Sequence, residues 1–228
     1  MTKRRVFLFT GISVLLIAAI VLGFLFWKSS TNEGGEVRIT RSSAEWSYDV
    51  FDPNQVAYDS DYIFVGIVQE EIKTVYGDSE IPDTKYSVIN ISNIKGNLKL
   101  NEKMEILKSG GKSQWDSKHI MLTGEDILPE VGKAYVFLGM TPFKGYDKTN
   151  APIHISAPSF CIPIASADIT TKSSAKEITQ TKEYQTYLEA YKNETNPYER
   201  EGSRGERFPS IYEDANEVDA LGRRANVK

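Results

Sequence analysis

The chain has 228 residues, with 27 Lys or Arg against 31 Asp or Glu, a formal net charge of −4, one Cys and two His. A single Cys excludes an intramolecular disulfide framework and a multi-Cys zinc site, and His119 and His154 alone cannot make a His cluster for a metal. The length suits one ordinary domain with appendages, and the 40% apolar and 11% aromatic content is that of a globular chain.

Lys3, Arg4 and Arg5 precede residues 6–27, which carry no charge. As a helix this run is about 33 Å long, the thickness of a hydrocarbon core. A cleaved signal peptide has a shorter apolar region, about 7 to 15 residues, ending in small residues before the cut. Here the run ends Phe24-Leu25-Phe26-Trp27-Lys28, so it reads as an uncleaved signal anchor, with a cleaved signal peptide as the alternative. The three cations hold residues 1–5 in the cytoplasm as a stub, which makes the protein single-pass in the plasma membrane with everything beyond the span outside. That outer part has 24 basic and 31 acidic residues, a net of −7, and so lacks the concentrated positive charge of a nucleic-acid binder. A lone Cys in an oxidising compartment suits a bacterial cell-envelope protein.

Residues 28–36, rich in Ser and Gly, read as a flexible linker, 37–194 as the outer domain, and 195–228 as a charged tail expected to be disordered or to form a short helix near 213–221. Asp52-Pro53 has the pattern of an N-cap followed by Pro at the first helical position. Residues 62–68 carry apolar side chains on both faces, which predicts a central strand covered on each side, interrupted by Gly66 where no side chain fits or the strand bends. After a polar loop at 76–85, Tyr86 and Val88 lie on one face and Ile89 and Ile91 on the other, a phase change that predicts a β-bulge. Lys95-Gly96-Asn97 reads as a turn, and further strands are predicted at 103–108, 134–140, 153–155 and 160–164, with Pro152, Pro158 and Pro163 confining the last two to edges. Ser174 and Glu177 form a capping-box pattern opening a helix over about 175–192, whose Tyr184, Tyr187, Leu188 and Tyr191 share one face and are expected to pack on the sheet. Short strands, glycine bends and one flanking helix predict a mainly β fold, a small, strongly curved OB-like antiparallel β-barrel with a C-terminal α-helix behind one transmembrane helix.

The series Asp61-Tyr62-Ile63-Phe64-Val65-Gly66-Ile67-Val68, then Ile94-Lys95-Gly96-Asn97, then Gly110-Gly111, then Gly132-Lys133-Ala134-Tyr135-Val136-Phe137-Leu138 resembles small bacterial extracytoplasmic proteins with a TIMP/netrin-like OB-type barrel. The resemblance covers about half the chain, residues 56–164, and implies a fold and a location. The animal inhibitors of that fold act on metalloproteases through an N-terminal cysteine and several disulfides; this chain has neither, so that activity does not carry over.

Two places invite function. The segment 109–132 is long for a connection between strands and holds Trp115, His119, Met121 and Leu122 among polar residues. Aromatic loops at a barrel mouth are common binding surfaces, and an envelope protein or cell-wall component is the partner expected there. The alternative is that Trp115 and Leu122 merely close the barrel end. Catalysis is the second possibility: His119 followed by Cys161 has the order of a sortase-like cysteine transpeptidase. Against it, Phe160-Cys161-Ile162 reads as a small buried hydrophobe, and no Arg follows Cys161 before Arg200. No cofactor or metal set is read, and a non-catalytic binding or assembly module is the function expected.

Overall fold

The computed structural model describes residues 36–141, 152–165, 169–198 and 210–223. The predicted stub 1–5, the span 6–27 and most of the linker lie outside them, and among the described residues no helix is long and apolar enough to cross a membrane. The chain divides into units 1–37 and 38–228, and every described helix and strand belongs to the second.

The fold is mainly β. The unit opens with β1 (Arg38–Ser42) and α1 (Pro53–Asp59), then runs through β2 (Tyr62–Val75), β3 (Asp83–Lys95), β4 (Lys103–Ser109), β5 (Gly111–Lys112), β6 (His119–Thr123) and β7 (Ala134–Gly139). It ends with β8 (Ile153–Ile155), a 3-10 turn at Pro158–Phe160, β9 (Cys161–Pro163), α2 (Ala175–Thr179) and α3 (Lys182–Lys192). Six strands pair in the order β8-β4-β3-β2-β7-β9, and β1-β6-β5 make a separate three-stranded sheet.

β2 is central because residues 62–68 are buried throughout, with Ile63, Phe64 and Val65 fully enclosed between β3 and β7. A Cβ on Gly66 would stand 3.1 Å from the rings of Phe64 and Phe137, so the gap in the apolar run is a seat for two aromatic rings. Past Val68 the strand continues as an exposed ribbon to Val75, seven residues beyond the predicted end, because β3 pairs with it as far as Asp83. β3 bulges at Ile91, where Val65 faces Ser92 and Gly66 faces Asn90, rather than at the expected phase change between Val88 and Ile89, across which the pairing is regular.

The six strands do not close into a barrel. β7 gives one edge to β2, on its other edge β9 takes residues 135–137, and β8 meets this side only at Met140, just past the end of β7. A single bridge results, with the N–H of Met140 donating to His154 O at 2.9 Å and the N–H of His154 donating back at 2.8 Å. β8 has three residues and follows Pro152, which has no N–H to extend the ladder.

Asp52 caps α1 as its sequence pattern requires, Oδ1 accepting the Asn54 N–H at 2.9 Å. The C-terminal helix is broken. The Ser174 and Glu177 capping box opens α2, but Thr181 caps a new helix, its hydroxyl accepting from the Tyr184 N–H and donating to Ile178 O. β-branched Thr179 and Thr181 flank the break, and a hydroxyl that bonds nearby backbone favours a cap over continuation. Tyr184, Tyr187 and Tyr191 are buried, with Leu188 partly buried against the same core, and α3 packs on α1 and β3.

Residues 210–223 differ from the expected tail. They lie along the β3–β4 connection: the Lys99 N–H donates to Tyr212 O, the Asp214 N–H to Asn97 O and the Ala220 N–H to Ile94 O. Tyr62 hydrogen-bonds Glu213, and Tyr191 donates to Asp219 at 2.7 Å. Backbone pairing and tyrosine hydroxyls hold a segment whose apolar residues are too sparse to do so.

Candidate functional site

The 109–132 segment is not an open loop. Gly110 has φ +103°, and a Cβ there would approach Leu122 Cδ2 to 2.8 Å, so glycine lets the chain turn from β4 straight into β5. β5 pairs antiparallel with β6, and β6 pairs parallel with β1, Arg38 standing opposite His119 and Ser42 opposite Thr123. Both partner strands carry a signal in the sequence: Ile120-Met121-Leu122 is a short apolar run, and Val37 and Ile39 alternate with Arg38 and Thr40.

The tip of this hairpin, residues 113–118, is tied at several points. The Trp115 N–H donates to Ser113 Oγ at 3.3 Å, the His119 N–H to Asp116 O at 2.9 Å, and the Lys118 N–H to Asp116 Oδ1 at 2.9 Å. Arg38 closes the arrangement from β1, its N–H reaching Lys118 O at 2.9 Å and Nη2 reaching Asp116 Oδ2 at 2.6 Å. The Lys118 N–H and the Arg38 guanidinium together hold the Asp116 carboxyl below the usual carboxylate range. On this fixed tip the Trp115 side chain is 88% exposed. Burying such a ring would contribute about 1.5–3 kcal/mol, which the isolated chain forgoes.

The four expected binding residues therefore part company. Trp115 projects at the tip and closes nothing. His119 and Met121 share one face of β6 by strand alternation, half-buried, with His119 Nε2 2.7 Å from Thr40 Oγ1. Leu122 points to the opposite face and is buried at the Gly110 turn.

A buried ion pair fastens the end of β6 to the main sheet. Lys108 on β4 meets Asp126 with both side chains wholly enclosed; Lys108 Nζ also donates to Ser109 O at 3.0 Å, and Asp126 Oδ1 accepts the Ile127 N–H at 2.7 Å. Arg41 adds two bonds from β1, to Gly124 O and Asp126 O. Sequence reading missed this pair because Lys108 and Asp126, 18 residues apart, look like ordinary surface charges.

Cys161 sits on β9 opposite Phe137, 3% exposed. Burial pushes its thiol well up, Asp126 adds to the shift and Lys108 opposes it. An activated thiol has the opposite shift. His119 stands in the other sheet and bonds Thr40, so nothing in the arrangement makes the two a nucleophile and its base. Among the described residues no group of three or more His, Cys, Asp or Glu is disposed to hold a metal. No family model matches the chain, and no curated protein matches it.

Proposed function

We propose that the chain is a membrane-anchored, extracytoplasmic binding module of the cell envelope, non-catalytic, that makes contact through the 113–118 tip. The observation that carries this reading is Trp115: a large ring held out in water on a tip that hydrogen bonds and an ion pair keep in place. A tip that is already ordered loses little entropy when it is covered, and exposed tryptophans on such sites dominate interface energies. The buried Cys161 thiol speaks for a structural role.

An OB-like reading of the fold has its own support. Following β2, β3, β4 and β8, then crossing the Met140–His154 bridge to β7 and back to β2, gives a circuit of five strands with one parallel step, between β4 and β8. A partly open Greek-key barrel of the OB type has that character, in keeping with the TIMP/netrin-like resemblance.

Oxidative footprinting tests the contact without knowledge of its partner. Trp115 is to be compared between native membranes and the purified full chain in detergent, with Trp46 as internal reference. Several-fold slower oxidation of Trp115 in the membranes is expected; equal rates in both would overturn the site.

A further inference from the structure

The three-stranded sheet ends in an open edge. Two bonds fix which way β1 points: the Arg38 N–H donates to Lys118 O at 2.9 Å, and Ser42 O accepts the Gly124 N–H at 2.8 Å. Arg38, Thr40 and Ser42 therefore turn their backbone groups toward β6, and strand alternation turns the N–H and C=O of Ile39 and Arg41 the other way. Among the described residues no strand pairs with that outer side, since β1 stands at the end of the order β1-β6-β5. The Ile39 side chain is 53% exposed beside it.

A second open edge in the molecule shows what protection looks like. β7 pairs with β2 only over residues 62–67, so Gln69 to Val75 also has a bare side among the described residues. There the pairing with β3 shifts register between Val68 and Glu70 and again between Glu71 and Lys73, and exposed Glu70, Glu71 and Lys73 stand along it. Bulges and charges of that kind keep an edge from pairing. β1 has neither. Its register with β6 runs unbroken from end to end, it holds no Pro, and its two cations are folded back onto its own sheet, Arg38 to Asp116 and Arg41 to Gly124 O and Asp126 O.

We propose that the outer edge of β1 takes β1 of a second copy of this chain, antiparallel about a two-fold axis at Thr40. The sequence Arg38-Ile39-Thr40-Arg41-Ser42 selects that occupant and that register. Outward groups must meet outward groups, so a two-fold axis can sit only at Ile39, Thr40 or Arg41. An axis at Arg41 sets that cation against itself. An axis at Ile39 leaves Arg41 and Ser42 without partners in β1. An axis at Thr40 pairs the whole strand: Arg38 with Ser42, Ile39 with Arg41, Thr40 with Thr40. Every outward N–H and C=O is then used, no charge faces its like, threonine meets threonine across the strands, and the exposed Ile39 is covered by the Arg41 stem. A foreign strand would have to bring this pattern from elsewhere, whereas each copy carries it, and two-fold dimers are the commonest assemblies. The inference stands whether or not residues 6–27 anchor the chain. Because the two β1 strands run in opposite directions, the Trp115 tips, each tied to its own Arg38, lie toward opposite ends of the joined sheet.

Disulfide trapping in the full chain tests this. Residues opposite each other in a non-hydrogen-bonded antiparallel pair have Cα atoms about 4.5 Å apart, within reach of a disulfide. The native thiol, Cys161, is buried and gives no background. Thr40→Cys and Ile39→Cys are oxidised mildly with copper phenanthroline in detergent. Thr40→Cys is expected to form its homodimer about tenfold faster than Ile39→Cys, which faces Arg41 of the second copy. Equal rates, or no dimer from Thr40→Cys, would overturn the pairing. Should Thr40→Cys lose the fold with its His119 contact, sedimentation of the native chain and of Ile39→Lys decides. The native chain is expected to dimerise as its concentration rises, and Ile39→Lys, which sets a second cation against Arg41, to need about tenfold more protein. A native chain that stays monomeric, or dimers that survive Ile39→Lys unchanged, would overturn the contact. Thr40→Cys joined in native membranes to a different protein rather than to itself would assign the edge to a foreign strand and overturn the second copy.

Discussion

Lys108 and Asp126 are charges wholly removed from water, and each is kept by the other: the ammonium has the carboxylate and Ser109 O, the carboxylate has the ammonium and the Ile127 N–H. Deleting either partner leaves the other buried and unpaired, at a cost of about 3–5 kcal/mol, whereas replacing both by apolar residues of similar volume is close to neutral. Lys108→Ala and Asp126→Ala are each expected to show that loss in denaturant unfolding, and Lys108→Met combined with Asp126→Leu to recover most of it. If the single variants lose less than about 1 kcal/mol, the pair is not the fastener between β4 and the end of β6. Cys161 gives a chemical readout of the same interior. Its thiol is enclosed and its ionisation suppressed by burial, so iodoacetamide at pH 8 should modify the native chain roughly a hundredfold more slowly than the urea-unfolded chain. Equal rates would return Cys161 to the list of reactive thiols.

At the scale of elements, the docking of α3 makes stability depend on alkaline pH. Burial pushes the Tyr187 hydroxyl from 10.0 up to about 12, and burial with the Asp219 carboxylate does the same for Tyr191. Below pH 10 both states of the chain keep these protons. Between pH 10 and about 12 the unfolded chain releases them while the folded chain does not, so stability falls as pH rises through that window. Tyr187→Phe should remove one such group and flatten the fall by about 2 kcal/mol at the upper end, measured as unfolding free energy against pH. An unchanged slope would mean that α3 does not bury Tyr187.

The same elements show what the sequence made legible. Residues 62–68 and the α3 tyrosine face could be read because burial is written there as periodicity, on both faces of one and a single stripe of the other. β1 and β6 were missed because β1 has a single apolar residue, Ile39, among charged and polar ones, and β6 follows the turn-forming Gly110 and Gly111 in a segment that reads as a loop. Residues 210–223 were unreadable for a different reason: their partners, Tyr62, Asn97 and Tyr191, stand far away in the chain, and hydrogen bonding to distant groups leaves no local period. Of the site, Trp115 was visible as an aromatic among polar residues. The Arg38 contact that fixes the tip was not, because it joins residues 78 apart.

At the scale of the molecule, the proposed function joins the uncharged run at residues 6–27, proposed as a membrane anchor, to a mainly β domain whose first strand, β1, also holds the exposed Trp115 tip. Everything functional in it depends on the domain lying outside the cytoplasm. The native chain supplies its own control for that, since its one thiol, Cys161, is buried. Ser79 stands exposed in the connection between β2 and β3, outside both strands, and Ser79→Cys places a reactive thiol there without touching the core. Labelling of intact cells with a membrane-impermeant maleimide, after any outer wall layer is stripped, is the most direct measurement. Prompt modification of Ser79→Cys and none of the native chain is expected; modification of Ser79→Cys only after the cells are lysed would contradict the outward placement of the domain.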